Sequence, residues 1–258
     1  AQGARVIGTA STDERRAHVL ALGADHALNS RSLNFVDDVL ALTGGAGAEV
    51  IIAARNPERG AQAIARIRQA VPDARVQFET LDLADLSSVR GLAERLNRRL
   101  PRLDVLINNA AIMAPPERGT SADGFELQLA TNYLGHFALT GLLVPLLRQS
   151  QDPRVVSLSS IAAARGAMNF DDLQAERKYE PYAAYAQSKL AVLHWAFALQ
   201  RRSEAAGWGI RSLAAHPGVA VTELVERGPG LNSEFGLSLS RVTAALTTSI
   251  ARLPSAGM

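Results

Sequence analysis

The chain has no cysteine. Disulfides and thiolate metal centres are therefore excluded, and the composition is compatible with a reducing compartment. Charge of one sign is also lacking: 27 Lys and Arg stand against 25 Asp and Glu, a formal +2. With no basic block, nothing points to nucleic acid. No stretch of about 20 uninterrupted apolar residues is present to span a bilayer. No charged-then-apolar signal pattern opens the chain, and a cytoplasmic setting is expected. The five histidines, His18, His26, His136, His194 and His216, have no metal-ligand spacing, so no metal is expected. A Gly-x-Ser-x-Gly nucleophile elbow is missing. The pairs Asp37-Asp38 and Asp171-Asp172 are sequence neighbours that do not converge as an acid/base couple. There is no repeat, no low-complexity tract and no initiator methionine. The last residues, Ser255 to Met258, read as an interruption, so a fragment or processed chain is expected.

What is present is enough for a large core. The 258 residues are 47% hydrophobic, the size of one large α/β domain or two small ones. From Glu49 onward strands and helices alternate. Strands are expected at 50–54, 76–81, 103–109, 154–160 and 210–215. Helices are expected at 57–69, 86–99, 125–147 and 183–206. This alternation predicts a parallel sheet covered on both faces. The helices at 125–147 and 183–206 are apolar nearly all round, hence buried on more than one side.

Within the last helix, Tyr185 and Lys189 are four residues apart and share a face. A positive charge about 4 Å from a phenol, at an effective dielectric near 20, is worth roughly 4 kcal/mol, or about three pK units. That upper bound would bring a tyrosine to where acid/base catalysis is efficient. A surface tyrosine beside a solvated lysine is the bland alternative.

The surrounding residues favour the chemical reading. A strand ends in Ser159-Ser160, and another in Asn108-Asn109-Ala110-Ala111. The motif Thr131-Asn132-Tyr133-Leu134-Gly135-His136-Phe137 lies in an apolar helix. The run from Ile210 to His216-Pro217-Gly218 is a strand into a turn. In order and spacing these residues resemble the short-chain dehydrogenase/reductases, in particular the retinol-dehydrogenase-like and protochlorophyllide-reductase-like members, from about Glu49 to Glu223. The resemblance implies a Rossmann-type doubly wound parallel sheet and hydride transfer between a carbonyl and an alcohol, with a lipophilic small molecule as substrate. It also implies roles. Ser160 bonds the substrate oxygen and Tyr185 is the general acid or base. Lys189 lowers the tyrosine pKa and bonds the nicotinamide ribose, and Asn132 holds a water against the lysine. Asp82 bonds the adenine amino group, Asn108 and Ala110 lie beside the adenine ribose, and Pro217, Gly218 and Thr222 contact the nicotinamide end. The two apolar helices either pair across a homodimer interface, as they often do in that family, or are buried inside a monomer.

The first 43 residues differ. They resemble part of the nucleotide-binding domain of medium-chain dehydrogenase/reductases, including quinone and enoyl reductases: strands at 5–10 and 26–30, helices at 13–22 and 35–42. The chain is expected to join this segment to a short-chain-type Rossmann domain at 44–258 that lacks its usual first strand and glycine loop. A dinucleotide loop needs a strand before it and a helix after it. The cluster Gly44-Gly45-Ala46-Gly47 follows a helix and precedes a strand, so it is either a displaced phosphate loop or an ordinary turn. The turn at Gly8 has the right context, but Asp13 and Glu14 would place negative charge at the anion site. Three readings follow: an active NADP-dependent oxidoreductase, a catalytically impaired nucleotide-binding or interaction module, and a quinone or enoyl reductase.

Arg55 follows the strand at 50–54, where NAD-preferring members of the resembled family carry an acid. A guanidinium there suits the 2′-phosphate of NADP through charge-assisted bonds; the alternative is a solvent-facing arginine. Arg55→Ala is expected to weaken NADPH binding by about 1.5–3 kcal/mol, the loss typical of a charged hydrogen bond, and leave NADH nearly unchanged. Equal losses for the two cofactors in a calorimetric titration would remove Arg55 from that role.

Overall fold

The computed structural model describes residues 7–10, 17, 26–29 and 48–216. The chain divides into two compact units, Ala1–Glu79 and Thr80–Met258. In the first unit, β1 (Ile7–Ala10) pairs in parallel with β2 (His26–Asn29). Strand β3 (Val50–Ala54) neighbours β4 (Val76–Thr80), and α1 (Pro57–Ala70) connects them. Local chemistry sets where α1 starts. Asn56 Oδ1 accepts from the Arg59 amide at 2.8 Å, and Pro57 fills the first turn, where its missing N–H costs nothing. Gly60 is buried, and any Cβ there would strike the Phe78 ring. The helix expected at 35–42 and the glycine cluster at 44–47 lie outside the described residues, as does the helix expected at 13–22 apart from residue 17, which is helical.

The second unit holds a three-stranded parallel sheet in the order β5 (Val105–Asn108), β6 (Arg154–Leu158), β7 (Arg211–Ala215). Helix α2 (Leu86–Arg99) precedes β5. Its cap is Asp85, whose Oδ1 accepts from the Ser87 and Ser88 amides. Between β5 and β6 runs α3 (Leu127–Leu147), and between β6 and β7 runs α4 (Pro181–Ala205). Helix α4 begins two residues earlier than its sequence suggests, because the Glu180 carboxylate accepts from the Tyr182 and Ala183 amides. The core on the helix side of the sheet is Leu147, Val155, Leu199 and Ile210, with Leu106, Val144 and Trp195 packed against it. Each such aliphatic side chain contributes roughly 2–3 kcal/mol of transfer free energy. On the opposite sheet face Val105, Ile107 and Leu213 are exposed.

Helix α3 is not regular. Residues Ala130–Leu134 form a π turn, an inserted residue that a 3.6-residue reading cannot register. By length and composition α3 could cross a membrane, although the sequence shows no uninterrupted apolar run of that length. Its buried Asn132, His136 and Thr140 bond to groups inside the protein, as in the core helix of a globular unit.

At Gly135 helix α3 meets the chain before α2. A Cβ there would lie 2.9 Å from Leu83 Cβ and would collide with the Leu83 carbonyl oxygen. Gly135→Ala is expected to cost about 1–3 kcal/mol through overpacking. The urea midpoint should fall with an unchanged slope; an unshifted midpoint would mean that the helix moves aside freely.

Candidate active site

Strand β6 ends at the paired hydroxyls. Ser159 Oγ donates to the Lys189 carbonyl at 2.9 Å. Ser160 caps the short 3-10 turn Ile161–Arg165, accepting from the Ala162 amide at 3.2 Å. The Ser160 side chain also hydrogen-bonds the Tyr185 phenol. Helix α4 brings Tyr185 and Lys189 to the same place, 5% and 4% exposed respectively. The following loop packs tightly on α4, where a Cβ at Gly166 would lie 2.7 Å from the Ala186 carbonyl oxygen.

The electrostatics differ from the expectation. Lys189 Nζ sits 6.0 Å from the centre of the Tyr185 ring and donates to the Leu158 carbonyl at 2.9 Å. Burial lowers its pKa to about 8, so the ammonium is still mostly charged at pH 7. The phenol is pushed above its ordinary value, chiefly by burial. The Ser160 bond pulls it partly back and nearby Tyr182 adds to the rise. The expected lowering of Tyr185 by Lys189 is thus not what this geometry does. Desolvation penalises the tyrosinate, and the lysine directs a proton at a backbone carbonyl.

Asn132 stands at the π turn, 1% exposed. Its Oδ1 accepts from the Ile112 amide at 2.9 Å, and its Nδ2 donates to the Ile112 carbonyl at 3.0 Å and to Ser188 Oγ at 2.9 Å. Ser188 Oγ in turn donates to the Tyr185 carbonyl at 2.7 Å. The Asn132 side chain thus ties the loop after β5 to α4. Asn108 is likewise buried, donating to Thr140 Oγ1 at 3.1 Å and Ser157 Oγ at 3.4 Å, while its Oδ1 has no partner. It braces the sheet end against α3. The Ala110 carbonyl is bonded to His136 Nε2 at 2.9 Å. Asp82 Oδ1 accepts from the Ala84 amide at 2.9 Å. Arg55 is exposed just past β3 in the first unit. Pro217, Gly218 and Thr222 lie outside the described residues.

These groups suit a nicotinamide cofactor at the end where hydride is exchanged. A charged, buried ammonium and a phenol bonded to a serine form a donor set for a ribose and a substrate oxygen. Lys189, Tyr185 and Ser160 would hold that end, and Asp82 and Ala110 stand at the end of β4 and the turn after β5. Sequence reasoning missed Ser188, Gln128 and His136. Ser188 lies inside the Tyr185–Lys189 stretch and was legible there. For Gln128 and His136 the only signal was a polar residue in an apolar helix.

His136 carries a pH signature. Burial, and then the positive charge of Lys189, hold its pKa near 4 against the Ala110 bond that raises it. The unfolded chain takes up the proton near 6.5. Stability is therefore fully present above pH 6.5 and is lost as pH falls toward 4, by up to about 3 kcal/mol. His136→Gln is expected to flatten that part of the stability curve, measured by urea unfolding between pH 7 and pH 4.5. An equally steep variant would place the effect elsewhere.

Comparison with known proteins identifies the family. A short chain dehydrogenase model matches residues 38–229, and a zinc-binding dehydrogenase model matches residues 1–70. Retinol dehydrogenase 13 of Mus musculus is 44% identical over 190 residues, covering 73% of this chain and 56% of the relative. Polyprenol dehydrogenase of Homo sapiens is 40% identical over 182 residues, covering 69% and 55%. The chain thus spans about half the length of these curated relatives. A crystal structure of an uncharacterised protein from Mycobacterium paratuberculosis matches with a TM-score of 0.61 at 39% identity, over 86% of this chain and 71% of that one. With the Rossmann-type α/β architecture of that family and its ordered Asn, Ser, Tyr and Lys motifs, this chain belongs to the short-chain dehydrogenases.

Proposed function

We propose that the chain interconverts a carbonyl and an alcohol on a lipophilic small molecule, with NADP as hydride carrier and Tyr185 as proton donor or acceptor. One observation carries the reading: the buried Tyr185 phenol, bonded to Ser160 and held beside the charged Lys189 on α4. The nicotinamide, when bound, supplies or accepts the hydride. In reduction Tyr185 gives its proton to the carbonyl oxygen while Ser160 hydrogen-bonds the same oxygen. A phenol held above its ordinary pKa is fully protonated at neutral pH. To stabilise the tyrosinate left behind, the Lys189 ammonium has to turn from the Leu158 carbonyl toward the phenol. Met113 and Tyr182 pack against Tyr185, Ala162 and Ala186, an apolar wall that suits a lipophilic substrate. The retinol and polyprenol names of the two relatives point the same way. Arg55 supports NADP, with Asp82, Asn108, Ala110, Pro217, Gly218 and Thr222 assigned to the cofactor by their place in the family motifs. Exposed Phe137 and Leu142 on α3 fit pairing of two copies through α3 and α4.

A second reading has its own support. Residues 1–70 match a different dehydrogenase model, and the sequence pattern around Gly44, helix then strand, is the reverse of that expected of a phosphate loop. On that reading residues 1–43 are a graft ahead of a short-chain domain at 44–258, and cofactor affinity is lost while the fold is kept. Calorimetric titration with NADPH separates the two. A dissociation constant of about 1 μM or tighter supports the active reading, and binding orders of magnitude weaker supports the impaired one. In a chain that turns over, Tyr185→Phe is expected to reduce turnover by roughly 10²–10⁴-fold. Near-full turnover in that variant would remove Tyr185 from proton transfer.

A further inference from the structure

A buried polar side chain outside the Asn132–Ser160–Tyr185–Lys189 set ties together three segments that frame Tyr185. Gln128, in the first turn of α3, is wholly buried. Its Oε1 accepts from the Ala114 amide at 2.8 Å. Its Nε2 donates to the Tyr179 hydroxyl at 3.1 Å and to the Pro181 carbonyl at 3.0 Å. Pro181 is the first residue of α4, and Tyr179 precedes its cap. The Tyr179 hydroxyl donates onward to the Pro115 carbonyl at 2.8 Å. The loop after β5 is thus fastened twice, at Ala114 and at Pro115, to the residues that launch α4.

The loop does not sit there without help. Ala114 has a left-handed backbone, φ 45°, which costs a residue bearing a Cβ. A strained residue persists where its surroundings over-determine it, and the Gln128 bond to its amide is such a restraint. The residue before it, Met113, packs on the Ala162, Tyr185 and Ala186 cluster together with Tyr182. Gln128 itself is fixed, because the Glu126 carboxylate accepts from the Gln128 amide at 2.9 Å and from the Leu129 amide at 2.6 Å.

We propose that Gln128 is a positioning residue for Tyr185: it locks the loop at 112–118 to the start of α4 and so holds Met113 and Tyr182 as the two sides of the pocket in which the phenol works. This rests on the reading of Tyr185 as the proton donor. Through Met113 and Tyr182, Gln128 governs how a lipophilic substrate meets the phenol while touching neither.

The test needs neither cofactor nor turnover, so it stands or falls apart from the proposed reaction. The full chain is labelled with 3-fluorotyrosine, and the fluorine resonances of its four tyrosines are assigned by single Tyr→Phe variants. In Gln128→Leu the Tyr185 resonance is expected to move toward that of a solvated tyrosine. The Tyr133 resonance should hold its place, and exchange of the Ala114 amide should speed up at least tenfold, as for a buried amide that loses its acceptor. Tyr179→Phe removes only the hydroxyl that passes the hold to Pro115, and should move Tyr185 the same way by less. It carries the test alone if the leucine variant does not fold. An unmoved Tyr185 resonance in the variants that fold would overturn the proposal, leaving Gln128 as a fastener of the loop without effect on the phenol.

Discussion

The Asn132 amide is the interaction on which the second unit's arrangement depends. Its three hydrogen bonds are directed to the backbone of Ile112 and to Ser188. A buried amide left unsatisfied costs about 1–3 kcal/mol per lost partner, so the loop after β5 and the Tyr185 turn of α4 are held in one geometry or the amide is stranded. The π turn at Ala130–Leu134 accompanies this demand, placing at the site an irregularity of a kind often found at functional positions. Through Ser188 the constraint reaches the Tyr185 backbone, one helical turn before Lys189.

Burial then decides the chemistry. In the same pocket desolvation pulls Lys189 down to about 8 and pushes Tyr185 up. Both shifts favour neutral forms. The lysine nevertheless stays mostly charged at pH 7, because a shift of that size from 10.5 stops above neutrality. The phenol stays protonated. A neutral acid next to a retained cation is the arrangement wanted before proton donation. A cation that stabilised the tyrosinate would lower the phenol's pKa, and with Lys189 turned to the Leu158 carbonyl the phenol keeps its proton. His136 adds no second cation, since the same burial and the lysine itself keep it neutral.

Much of this was legible in the chain itself. The alternation from Glu49 gave each described helix from α1 to α4 within about two residues, since caps such as Asn56-Pro57 and Asp85 are local signals. The Tyr185 and Lys189 pairing followed from helical spacing, and the motif order identified the family. Three things were out of reach. The partner of Lys189 is a carbonyl 31 residues away in sequence, which no periodicity encodes. The π turn adds one residue where a pattern reading assumes none. Gln128 looks like an interruption in an apolar helix until the segments at 114, 179 and 181 are brought to it. Each miss involves contacts remote in sequence or a deviation from a regular repeat.

The overlap of the two family models over residues 38–70 has a physical basis. That stretch contains β3 and the whole of α1, a strand and a capped helix. Any parallel nucleotide-binding sheet needs that unit, whatever reaction it serves. The residues proposed for the site are distributed differently. Ser160, Tyr185, Lys189, Asn132 and the Gln128 bonds all lie in Thr80–Met258, whereas Arg55 lies in Ala1–Glu79. Every hydrogen bond described for the proton-transfer groups is made within the second unit. Within that unit Asn132 and Gln128 share no hydrogen-bond partner, so their substitutions are expected to act separately on the surroundings of Tyr185. Sites with no shared partners contribute additively. The hydrogen bonding around the proposed proton-transfer groups is thus specified within the second unit.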